Sequence, residues 1–113
     1  MGRESWTGSQ MGKKREWVEI IVWDAVRSRT ILETERDKVA DMVVQLEIND
    51  SGWKPVARYN FAHVRPHRDL VIKGKTEKTW LEGNLDEIFT FARVDIRSHW
   101  EKYLEECGYV KID

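Results

Sequence analysis

Two histidines, three arginines, a carboxylate and a carboxamide crowd into residues 58–69, RYNFAHVRPHRD. Histidine changes charge near neutral pH, so His63 and His67 can serve as a general acid and base. Arg58, Arg65 and Arg68 can hold a phosphate with paired N–H groups and stabilise charge that develops on it. That is the minimum equipment for metal-free RNA cleavage. One imidazole deprotonates a 2′-hydroxyl and the other protonates the leaving oxygen. The same residues fit two other readings. In one, the Arg/His loop docks an acidic partner without catalysis. In the other, the histidines bond loop carbonyls and Asp69 pairs with Arg58 or Arg68. All three are open at this level. His63-x-x-x-His67-x-Asp69 also has the donor types of a metal site. Pro66 breaks any helix that would bring the histidines one turn apart, and the arginines repel a dication. No metal and no cofactor are expected.

These groups have to be placed by a strand and the loop that follows it. Residues 53–62 read as a strand, with Pro55 near its start, where a missing N–H is tolerated. Strand alternation then puts Val56, Arg58, Asn60 and Ala62 on one face and Ala57, Tyr59 and Phe61 on the other. Residues 63–69 read as a loop broken by Pro66. A rigid strand end running into a loop is a good place to present side chains to a ligand. The positions to watch are His63 and His67, Arg58, Arg65 and Arg68, and the supporting Tyr59, Asn60, Asp69 and Asp95.

Charge along the chain singles out the same region. Of 113 residues, 19 are Lys or Arg and 20 are Asp or Glu, for a net charge of -1. Residues 54–78 nevertheless carry a net +5, against -2 for residues 1–53 and -4 for residues 79–113. A local positive field favours an anionic partner, such as a nucleic-acid backbone or an acidic protein surface. The alternative is that these cations offset the acidic C-terminal part within one fold.

Composition removes several classes. A single Cys excludes an internal disulfide framework and any multi-cysteine zinc site. No apolar run is long enough to span a membrane, and no signal-peptide pattern opens the chain. There is no Gly-rich phosphate loop, no G-x-S-x-G and no H-E-x-x-H. A cytoplasmic domain with no membrane partner is the expectation.

The remaining elements read as follows. Residues 1–15 are polar and aperiodic and are expected to form a disordered arm, with Met11 a candidate natural start. Residues 16–113 form a single domain. Residues 16–24 are a strand, and 29–34 either continue it or form another. Residues 35–38 are a polar turn. Residues 39–49 alternate, with Val44, Leu46 and Ile48 on one face and Val43, Gln45 and Glu47 on the other. Residues 70–72 and 78–81 are short strands around a turn at Gly74. A long helix follows, capped by Asn84 with Glu87 three residues on, and stopped at Gly108. Its apolar stripe runs through Leu85, Ile88, Ala92 and Ile96, with Asp95 at its border. Trp53, Trp80 and Trp100 are assigned to the core, and an exposed Trp beside the arginines would change that view. Cys107 is a small apolar filler. The fold class is α+β: a mostly antiparallel sheet of four to five strands with one long C-terminal helix across a face.

The run Trp53-Lys54-Pro55-Val56-Ala57-Arg58-Tyr59-Asn60-x-Ala62-His63-x-x-Pro66-His67-Arg68-Asp69, then Lys78-Thr79-Trp80-Leu81 and a helix with Ala92, Asp95, Ile96, Trp100 and Tyr103, resembles a small family of prokaryotic domains with an R-Y-D-x-A-H-x-x-P-H-R-D core. A similar core occurs in TumE-type toxins of toxin–antitoxin systems. The resemblance covers roughly residues 39–106. Arg58, Tyr59, His63, Pro66, His67, Arg68 and Asp69 match the pattern. Asn60 departs from it, because the related proteins usually carry an acid there. If that acid is a base or a metal ligand, Asn60 weakens the role. The resemblance implies a cytoplasmic toxin-like protein acting on nucleic acid, with a small antitoxin-like partner. A second copy of the chain is the other partner considered.

Overall fold

The computed structural model describes residues 12–61 and 65–109; His63 lies outside them, as does most of the expected arm. Six strands form one sheet in sequence order: β1 (Lys13–Val22), β2 (Val26–Glu35), β3 (Lys38–Asn49), β4 (Trp53–Asn60), β5 (His67–Ile72) and β6 (Lys75–Trp80). Every neighbouring pair is antiparallel. A helix, α1 (Leu85–Glu106), then returns across β3 and β4. The α+β class therefore holds, with six strands in place of four to five. Two of the strands were hard to see. Residues 29–34 belong to the separate strand β2, and β1 begins inside the expected arm. Lys13, Lys14 and Arg15 are exposed there, so polarity on a sheet edge had passed for disorder.

The turns explain the meander. Arg36 and Asp37 both have positive φ, as do Lys73 and Gly74. Two such residues make the tight turn whose twist matches a two-stranded ribbon. They pair Glu35 with Lys38 and Ile72 with Lys75; the second register holds along β5 and β6, and the first shifts by one residue at Ala40 before the rest of β2 and β3 pair. The turn after β3 uses Ser51 and Gly52, also at positive φ.

One face of the sheet is core. Val26 and Leu32 from β2, Met42, Val44, Leu46 and Ile48 from β3, and Ala57 and Tyr59 from β4 are buried there. Ile88, Ala92, Ile96, Tyr103 and Leu104 of α1 cover them. A bulge opposite Leu46 and Glu47 leaves Val56 unpaired and turns it into the core, where it is fully buried. Strict alternation had placed Val56 with Arg58 and Asn60.

The helix ends behave as their residues dictate. Asn84 Oδ1 accepts the Glu87 N–H at 2.9 Å. Asp86 accepts the Val39 N–H at 3.2 Å, which ties the first turn of α1 to the start of β3. Gly108 at φ 92 lets the Tyr109 N–H reach back to Leu104 at 2.8 Å. The helix bends at His99, whose φ of -125° is not helical, and Trp100 rather than His99 takes the half-buried position.

Candidate functional site

Register sorts residues 58–69 onto two faces. Asn60 pairs with His67, and His67 with Trp80; Arg58 pairs with Asp69, and Asp69 with Lys78. These six side chains form two neighbouring rungs on the face that α1 leaves uncovered. Between them runs Tyr59, Arg68 and Thr79, which point to the helix side. The motif thus divides by strand parity. A shallow pocket of about 320 Å³ opens on the uncovered face, lined by Arg58, Asn60, His67, Asp69 and Lys78 together with Asp41, Val43 and Phe61.

His67 is 1% exposed. Its Nδ1 is 3.0 Å from the Arg65 carbonyl, and its Nε2 is 3.5 Å from Asp69. Both nitrogens face acceptors, so a neutral ring can donate to one of them at a time. The ring edge rests on Trp80, with centroids 5.2 Å apart. Asp69 Oδ1 is buried and takes no hydrogen bond among the described residues. Arg58 is exposed and makes no ion pair among the described residues, although Asp69 lies directly across from it.

Trp80 is 43% exposed and not part of the core. The Arg65 guanidinium lies 4.6 Å from its ring centroid and the Lys78 ammonium 5.1 Å. Arg65 and Lys78 therefore meet at one accessible aromatic ring, and Arg58 lies in the neighbouring rung. Lys78 and Trp80 had not been assigned to the site. The signal for them was present: a two-residue turn at Lys73 and Gly74 folds β6 back so that positions 78 and 80 share the parity of 69 and 67. Trp53, by contrast, is covered by the Arg27 guanidinium at 4.0 Å from its ring. Arg27 also pairs with the buried Glu47 at 2.6 Å.

The helix-side residues form a latch. The Tyr59 hydroxyl donates to Asp95 Oδ2 at 2.7 Å, and the Tyr103 hydroxyl donates to the same oxygen. His99 Nδ1 lies 3.0 Å from Asp95 Oδ1. Arg68 donates to the Tyr103 hydroxyl at 3.1 Å and lies over its ring. Asp95 thus meets β4 through Tyr59, while Arg58 is on the opposite face. Burial and the carboxylate of Asp95 push the Tyr59 phenol far above its ordinary value. Burial and the same carboxylate also raise Tyr103, against the pull of Tyr59 and Arg68. Burial lowers the Arg68 value, but the oxygens of Tyr103 and Tyr59 outweigh it and hold the guanidinium above the usual range. Arg68 and Tyr59 are thus fold residues, removed from the pocket.

Cys107 is buried in the core with its thiol directed at the Val56 carbonyl, and burial raises its pKa. Among the described residues, no cluster of three His, Cys, Asp or Glu side chains is placed to hold a metal. No described helix is long and apolar enough to cross a membrane.

The architecture is an antiparallel six-stranded meander backed by one C-terminal helix, with a pocket of mixed charge on its open face and the Arg65–Trp80–Lys78 cluster on the edge strand. The chain belongs to the family described as Domain of unknown function (DUF7718), whose model matches residues 11–108. No curated protein and no solved structure matches it.

Proposed function

We propose that this domain binds single-stranded nucleic acid through the open face of its sheet. The observation that carries the reading is the meeting of Arg65 and Lys78 at the exposed ring of Trp80, with Arg58 and Lys78 lining the pocket next to it. Cations that track phosphates and an aromatic ring that stacks a base are what sequence-tolerant strand binding requires. An acidic protein surface would use the cations equally well but has less use for the ring. The resemblance to TumE-type toxins points the same way and adds a small antitoxin-like partner that would mask this face. Catalysis enters only if His63 joins His67 at the pocket, with the pair as general base and acid.

The test is fluorescence anisotropy of a labelled single-stranded RNA over a range of salt. Three phosphate contacts give a log–log slope of about -2, and Arg58→Gln or Lys78→Gln each flatten it by about 0.7. Trp80→Ala costs about 1–3 kcal/mol of binding. Affinity unchanged by all three substitutions would overturn the reading. Running the bound RNA on a gel with EDTA separates the two versions. Cleavage that survives EDTA and is lost in His63→Ala and in His67→Ala adds the acid–base pair; intact RNA leaves a binding module.

A further inference from the structure

A second cavity, of about 330 Å³, lies on the other side of the sheet, between α1 and the first two strands. α1 packs mainly on β3 and β4, and the long side chains of Arg93 and Arg97 span the gap to Glu19 of β1. The floor of the cavity is unusual. The core-facing row of β2 runs Val26, Ser28, Thr30, Leu32, all buried. Two hydroxyl residues thus stand where the row would otherwise be aliphatic. Thr30 is 1% exposed and Ser28 7%, and among the described residues neither side chain makes a hydrogen bond. Both line the cavity. Neither hydroxyl oxygen is among the buried polar atoms left without a partner, so both open onto the cavity and give its floor two polar groups that a ligand or water can bond.

The walls and rim say what kind of ligand. Val44 and Ile96 supply apolar walls, and Arg93 and Arg97 of α1 stand at the mouth. Both arginines are held there by one carboxylate, Glu19 of β1: Arg97 by a close ion pair and Arg93 at 3.9 Å. Glu19 thus occupies the place that the carboxylate of a ligand would take. We infer that this cavity is a binding site for a small amphipathic carboxylic acid. Its carboxylate displaces Glu19 from Arg97 and Arg93, its chain lies against Val44 and Ile96, and Thr30 and Ser28 bond any polar group along it. The volume lies in the range of small-ligand pockets. The site is independent of the nucleic-acid reading, since the sheet separates the two.

The experiment is a titration of the full chain with octanoate, followed by methyl chemical shifts, with octylamine as the cationic control. Octanoate, kept below its self-association limit, is expected to move the Thr30, Val44 and Ile96 methyl signals saturably, and octylamine is not. Glu19→Gln frees the arginines and is expected to tighten octanoate severalfold, while Arg97→Gln weakens it by a similar factor. Both positions are at the rim, so both variants fold. Shifts that are scattered over the surface, equal for the amine, or indifferent to Glu19→Gln would overturn the assignment.

Discussion

The two faces of β4 and β5 carry polar residues from the same short motif, yet they are built to opposite specifications. On the helix side, Tyr59, Arg68, Asp95 and Tyr103 bond one another across the sheet–helix boundary, with His99 at the far side of the carboxylate and the Arg68 Nε left buried without a partner among the described residues. On the open side, His67 is buried and Asp69 keeps a buried oxygen without a partner, but Arg58 is exposed with no ionic partner among the described residues and Trp80 stays accessible. A polar group that is buried and paired stabilises a fold. One that is exposed and unpaired contributes little to stability and is available to a ligand. Alternation alone therefore divides one motif into a structural half and a binding half. Substitutions on the two faces should separate stability from binding.

The largest effect belongs to Asp95. Asp95→Ala removes the acceptor of both phenols and leaves two hydroxyls without it at the helix–sheet boundary. A loss of about 3 kcal/mol is expected, because each buried group stripped of its partner costs roughly 1–3 kcal/mol. Urea unfolding measures it. A loss below about 1 kcal/mol would mean that the latch is ornamental. Asp95→Asn keeps one acceptor oxygen and should recover part of the difference.

Alkaline pH breaks the same latch more gently. Tyr59 and Tyr103 have folded pKa values above the unfolded value of about 10. Their contribution is complete below pH 10, because both states are then protonated. It declines as pH rises above 10, where the unfolded chain gives up protons that the folded one keeps. Each tyrosine contributes a slope of about 1.4 kcal/mol per pH unit until its folded pKa is reached. Tyr59→Phe should remove one such slope from the stability profile between pH 10 and 11 while costing about 1 kcal/mol at neutral pH. An unchanged profile would place Tyr59 outside the alkaline transition.

Much of this division was legible beforehand. Period-two patterning placed Arg58 and Asn60 together and Tyr59 opposite them, and Asn84 and Gly108 bounded the helix. What could not be read was register between distant strands. Which residue faces Asp69 depends on the turn being the two residues Lys73 and Gly74, and a turn read at Gly74 alone does not fix that length. Trp80 was assigned to the core because its bulk suggests burial, yet β6 is an edge strand exposed throughout. Edge position, not residue type, decides its exposure. Val56 failed for a related reason, since a bulge overrides parity locally. The cavity over Ser28 and Thr30 had no sequence signal beyond two hydroxyls in a strand.

The smallest change in stability, and the sharpest test of the division, comes from the open face. Arg58→Gln and Lys78→Gln should alter unfolding free energy by no more than about 0.5 kcal/mol, because exposed charges contribute little. The pair of substitutions should add independently in stability yet weaken RNA binding together, since each removes one phosphate contact. Arg68→Gln supplies the contrast. It sits between Arg58 and Lys78 in the count of arginines and lysines but faces Tyr103. It should destabilise the fold by about 1–2 kcal/mol through the lost hydrogen bond to the phenol, and leave the salt dependence of RNA binding unchanged. A fall in RNA affinity for Arg68→Gln equal to that for Arg58→Gln, in folded protein, would show that binding reads the net charge of the segment and not the face on which each charge is displayed.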